Sequence, residues 1–238
     1  MALSSMGCYI APDIASRSES VQGGLAETKR SVRDLCMQTI CSRSADPEIA
    51  ATVGVLLYDA TTEPHAVLMA AVDQLRARGL TVGGLLQRRG QRLPSGKRGM
   101  WLDDIATGTT IRLDEPRGAG ASSCMLDTDA LARGASLLRQ HIDAGLSVMI
   151  VNRFGALEAE GTGLRAEIAE AICAGAVVLI PVRADRLPAM EAFLGCEATV
   201  LPASPIEIAE WAQRAANAPA VVASPPGRQA ALSGTLAP

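Results

Sequence analysis

Four short polar runs break the apolar stretches of this chain, and each carries side chains suited to holding an anion. Asp59-Ala60-Thr61-Thr62 follows the apolar run Val53–Tyr58. Gln87-Arg88-Arg89 closes the run that begins at Leu80, and Asn152-Arg153 closes the run that begins at Ser147. The fourth, Glu158-Ala159-Glu160-Gly161-Thr162-Gly163, opens a helical stretch. Arginine forks grip oxyanions through paired N–H donors. Helix starts rich in threonine and glycine add unpaired backbone N–H groups. Together the runs describe an oxyanion or phosphate pocket built from Asp59, Thr61, Thr62, Gln87, Arg88, Asn152, Arg153, Gly155, Glu160 and Gly161. Asp103 and Asp104 beside Trp101 form a carboxylate pair, of which Asp104 is counted with the ligand-facing groups. Glu158 is the candidate catalytic base. Cys124 stands just before a helix start, where a thiol pKa falls, which suits a reactive group or a soft ligand. No metal site is expected: Cys36 and Cys41 have no second pair or clustered histidine to complete a zinc set. His65 and His141 sit in helical stretches and are assigned no catalytic role.

These groups need a scaffold that brings them to one place. Val53–Tyr58 is continuously apolar, as in a strand buried on both faces of a parallel sheet. Pro64 suits the first turn of the helix that follows to Arg78, with Thr61 or Thr62 as its cap and Gly79 as its stop. Leu80–Gln87 reads as a second strand whose glycine pair implies close backbone approach. Residues 88–99 and 114–123 read as long loops, and Met100–Leu113 as a hairpin around Ala106–Gly108. Helices over 126–144, 164–174, 187–194 and 205–216 then alternate with strands over 147–152, 176–182 and 198–201. That alternation specifies an α/β three-layer sandwich with a mostly parallel sheet and an inserted hairpin. Right-handed crossovers place the turns after the strands on one edge, where ligands bind in open α/β sheets. Residues 1–48 read as a flexible lead, 49–217 as a single α/β domain, and 218–238 as a Pro- and Ala-rich disordered tail.

The bulk composition narrows the partners. The chain has 238 residues, a formal charge of −3 and only 3% aromatic residues. That balance argues against a nucleic-acid surface, which needs basic stripes and stacking rings. Lys29 and Lys97 are the only lysines, so positive charge is carried by arginine. No apolar run reaches the roughly 18 residues of a membrane span, and no basic-then-apolar leader opens the chain. Unpatterned cysteines fit a reducing cytoplasm, with Cys173 as a core filler in its helix.

The segments VGGLLQRRG, WLDDIATG, SVMIVNRFGALEAEG and GAVVLIPV resemble the small nucleoside triphosphatases of the P-loop class. They are more similar to a bacterial domain family of unknown function related to those enzymes, some of whose members are labelled as molybdenum-transport-associated. The resemblance covers roughly Ala50 to Ala216, and its most specific pieces are Asn152–Gly161 and Cys124–Leu131. It implies a P-loop-like fold, a nucleotide or molybdate as ligand, and a protein partner in molybdenum transport. The departures are chemical. The turn DATTEPH, residues 59–65, stands where a phosphate loop would be, without glycine or lysine. Asn152 and Arg153 stand where an acidic pair would hold magnesium, and Ala156 replaces a lysine, while Glu158 matches the family glutamate. Either nucleotide binds without efficient hydrolysis, or the edge serves another anion. Nucleoside triphosphate hydrolysis and a protein-interaction scaffold using Arg88–Arg98 are the alternatives.

Overall fold

A computed structural model describes residues 51–59, 61–92, 98–114 and 126–218. The expected lead and tail, Cys36, Cys41, Cys124 and most of the second expected loop lie outside the described residues. β1 (Val53–Tyr58) leads into α1 (Pro64–Ala77), then β2 (Val82–Arg92), β3 (Arg98–Asp104) and β4 (Thr110–Arg112). α2 (Thr128–Asp143), β5 (Val148–Val151), the short α3 (Ala156–Ala159), α4 (Arg165–Cys173) and β6 (Val177–Arg183) follow. The chain then runs through α5 (Leu187–Leu194), β7 (Thr199–Leu201) and α6 (Pro205–Asn217). The seven strands lie in the order β4-β3-β2-β5-β6-β1-β7. β2, β5, β6, β1 and β7 run parallel, and β3 and β4 add an antiparallel edge. The mostly parallel α/β sheet with an inserted hairpin is therefore present.

Burial divides the core into two layers, one on each face of the sheet. Leu68, Ala71, Val72 and Leu75 of α1 pack with Ile208, Ala209 and Ala212 of α6 against Leu56, Leu86, Ile150 and Leu179. On the other face, Leu138 of α2, Ile168 of α4 and Phe193 of α5 cover Val55, Leu85, Met149 and Ile180. The central strands are buried on both faces, which is why they read as unbroken apolar runs. β2 and β5 meet closely at Gly84, whose φ of 110° puts an added Cβ against the Ile150 backbone, so the glycine pair does mark a close approach.

Some local expectations are corrected. β2 does not stop at Gln87 but continues to Arg92, paired with β3, so much of the expected Arg-rich loop is an antiparallel ladder. The helix cap expected at Thr61 or Thr62 is not made: Glu63 holds the N-cap position with no side-chain cap bond, and Pro64 opens α1. Cys173 is exposed at the end of α4 rather than filling the core.

Candidate functional site

The connections place an opening at the carboxyl edge of the sheet. From β1 the chain crosses by α1 over one face to β2; from β6 it crosses by α5 over the other face to β7. Adjacent strands whose chains leave in opposite directions create a crevice, and in open α/β sheets that is where ligands bind. A crevice of about 400 Å³, its open mouth included, is lined here by Tyr58, Thr62, Glu63 and Pro64 after β1, and by Leu86, Gln87 and Arg89 on β2. Asn152, Arg153 and Pro181 complete the wall.

The turn after β1 is closed on itself. Asp59 Oδ1 accepts from the backbone N–H groups of Thr61 (2.7 Å) and Thr62 (3.1 Å). The same oxygen accepts from the hydroxyls of Thr61 (2.6 Å) and Thr62 (3.3 Å). These donors, the Thr61 hydroxyl and amide foremost, hold the exposed Asp59 carboxyl at about 2, below its ordinary 3.8. The amides and hydroxyls expected to meet a ligand are thus engaged by a side chain of the same turn.

Asn152 sits where β5 ends. Its backbone N–H donates to the Leu85 carbonyl at 2.5 Å, tying it to β2. Its φ of 23° is positive, the only such value at a non-glycine position among the described residues. Asparagine tolerates this region better than most residues. The side chain is 7% exposed, and its buried Oδ1 has no hydrogen-bond partner. Arg153 beside it is half-buried, and Arg89 across the crevice is exposed; neither has a carboxylate partner among the described residues. Glu63 is the one carboxylate on the wall, so these side chains offer little to a divalent cation, which wants several oxygen ligands.

Several expected residues lie elsewhere. Arg88 alternates to the opposite side of β2 from Arg89, where its Nε and Nη2 donate to Asp103 at 2.7 and 3.1 Å. His65 Nε2 meets the same carboxylate at 3.1 Å. Burial alone would raise the Asp103 pKa, but the Arg88 fork outweighs it and the carboxyl titrates below its usual range. Asp104 is buried against α2, where its Oδ1 accepts from the Ala106 and Thr107 amides and lies 3.4 Å from His141 Nε2. His141 Nδ1 in turn accepts the Gly84 N–H at 3.0 Å. These contacts build the β3–β4 turn and the α2 packing, away from the crevice.

Glu158 is 5% exposed and folds back over its own segment. Its Oε2 accepts the Gly155 N–H at 2.9 Å and its Oε1 the Leu164 N–H at 3.0 Å. Gly163, at φ 64°, leaves room for this carboxylate. Gly155 is the N-cap of α3 and Glu158 its third residue, so the acid staples α3 to the start of α4. Glu160 and Gly161 are exposed where α3 ends. Of the expected set, the structure brings Thr62, Gln87, Asn152 and Arg153 into one crevice, with Asp59 and Thr61 in the turn that borders it. Arg88, Asp104, Gly155, Glu158, Glu160 and Gly161 do not line it, and Cys124 lies outside the described residues. Arg89, named in the second polar run but not in the expected site set, joins it, and Tyr58, Glu63 and Pro181 join unforeseen. Arg89 was within reach of sequence reasoning, since it shares a strand face with Gln87.

The stretch from β1 to α6 carries all of these residues, and a family model described as "Protein of unknown function (DUF2478)" matches residues 53–211. The chain belongs to the DUF2478 family. Over 149 residues, 63% of its length, this DUF2478 chain is 32% identical to the molybdenum import ATP-binding protein ModC 2 of Bradyrhizobium diazoefficiens. It spans 17% of the length of that relative. The solution structure of a human cancer-related nucleoside triphosphatase aligns with a TM-score of 0.43 and 14% identity, over 62% of this chain and 87% of that one.

Proposed function

We propose that this chain is an anion-binding module of P-loop-like descent, holding a nucleotide phosphate or a free oxyanion at the carboxyl edge of its sheet without hydrolysing it. The observation that carries this reading is the pair Arg89 and Arg153 on one crevice, with no carboxylate partner among the described residues. Each brings fork-shaped N–H donors to the same opening, the chemistry that grips an oxyanion. Buried, strained Asn152 between the end of β5 and that opening fits the same role. Thr62 and Gln87 supply polar contacts, and Asp59 and Thr61 shape the rim.

Efficient phosphoryl transfer needs a charge clamp and a metal-holding carboxylate at the phosphates. The β1–α1 turn carries neither glycine nor lysine, and Asn152 and Arg153 carry no negative charge. Both oxygens of Glu158, the candidate base, already accept backbone N–H groups. The printed name of the relative speaks of molybdenum import and of ATP binding. Carried to this chain, it supports molybdate or an ATP phosphate as the anion and a component of molybdenum transport as the protein partner. No helix among the described residues is long and apolar enough to cross a membrane.

A thermal-shift panel of nucleotides and oxyanions, with and without magnesium, paired with an ATP turnover assay, tests this reading. It expects saturable stabilisation by an anion and no turnover above background. Robust turnover that disappears in Glu158→Gln would replace it with a nucleoside triphosphatase.

A further inference from the structure

We infer that the crevice takes a compact oxyanion with a single central atom, the tetrahedral class of phosphate, sulfate and molybdate, and that Asp59 is the residue that turns phosphate chains away. This rests on the anion-binding reading above and narrows its ligand. A polyphosphate at this edge would use the turn after β1, where backbone N–H groups and the positive end of α1 converge. Here that place is already filled from within. One oxygen of Asp59 takes the amide and the hydroxyl of both Thr61 and Thr62. An incoming phosphate chain must displace these contacts and approach a fixed negative charge. Glu63 adds a carboxylate on the crevice wall itself.

The arginines without a carboxylate partner among the described residues lie on the other walls, Arg89 on β2 and Arg153 after β5. The crevice between them, about 400 Å³ with its open mouth included, is not closed to a longer ligand, so selection against a phosphate chain falls to the filled turn and the carboxylates of Asp59 and Glu63. Asn152, on the same wall, holds a positive φ of 23° at a non-glycine position, and such backbone outliers cluster at ligand clamps.

The test is titration calorimetry on the full chain at constant ionic strength, with sodium phosphate, sulfate, molybdate and magnesium-free ATP as separate titrants. The wild type should bind at least one single-centre anion tenfold or more tightly than ATP. Asp59→Ala should strengthen ATP binding at least fivefold more than it strengthens binding of the single-centre anion. Asp59→Asn keeps an acceptor for the turn but removes the charge, and should fall between, which guards against a collapsed turn in the alanine variant. ATP matching the single-centre anions in the wild type, or unmoved by both Asp59 variants, would overturn the inference and leave the anion-binding reading intact. No saturable binding by any titrant, or binding indifferent to Arg89→Ala and Arg153→Ala, would overturn that reading and the inference with it.

Discussion

Replacing Glu158 by alanine should unfold this protein more readily without touching its crevice. The Glu158 side chain is 5% exposed, and its carboxylate serves the Gly155 and Leu164 amides at 2.9 and 3.0 Å. Alanine leaves both donors without a partner, at a cost of about 1–3 kcal/mol for each buried group. The Leu164 bond is buried and the Gly155 bond partly so, which puts the total at about 2–5 kcal/mol. For a chain of this size that corresponds to a melting temperature roughly 4–20 °C lower. Glu158→Gln keeps the shape and one acceptor oxygen, and should lose about half as much. Urea denaturation followed by circular dichroism gives the free energies, and anion titration of the same variants should match the wild type. A loss below about 0.5 kcal/mol in Glu158→Ala would refute the staple, because two buried amides cannot lose their acceptor so cheaply.

Other substitutions probe the scaffold and the turn. Gly84→Ala should prevent folding or destabilise by several kcal/mol, on the order of the larger single-site effects, because its φ of 110° and the adjacent Ile150 backbone leave no place for a methyl group; a soluble variant with wild-type denaturation would contradict this. Asp59 has a folded pKa of about 2, below its ordinary 3.8, so its contribution is full above the ordinary value and fades as pH falls toward 2. Amide resonances of Thr61 and Thr62 should shift with that low midpoint in pH titration by NMR, and should not do so in Asp59→Asn; a midpoint near 3.8 would show that the turn is open in solution.

Much of the architecture is legible in the chain because parallel strands buried on both faces must be apolar throughout. Val53–Tyr58 and Val177–Val182 show this directly. The polar groups that close such strands are legible too, and Gln87, Asn152 and Arg153 meet in the crevice. What failed was the length of β2. Arg, Gly and Pro after Gln87 suggest a loop, yet pairing with β3 carries the strand to Arg92. Once β2 continues, period-two alternation puts Arg89 with Gln87 and sends Arg88 to Asp103. The other obscure point is competition within the chain. Acidic residues at turns attract ligand roles on paper, but Asp59, Asp104 and Glu158 each spend oxygens on nearby backbone N–H groups. Composition does not reveal which donor a carboxylate meets first. The spacing of Gly155 and Glu158, an N-cap and the acid three residues on, was the available sign.

The central claim is that Arg89 and Arg153 hold an anion between them. Thermal unfolding of wild type, Arg89→Ala and Arg153→Ala, each with and without sodium molybdate or phosphate, tests it most directly. Ligand at about 100 times its dissociation constant should add roughly 2.7 kcal/mol to the wild type, raising its melting temperature by about 5–11 °C, while Arg153→Ala should melt normally and show no shift. An equal ligand-induced shift in wild type and both arginine variants would contradict it.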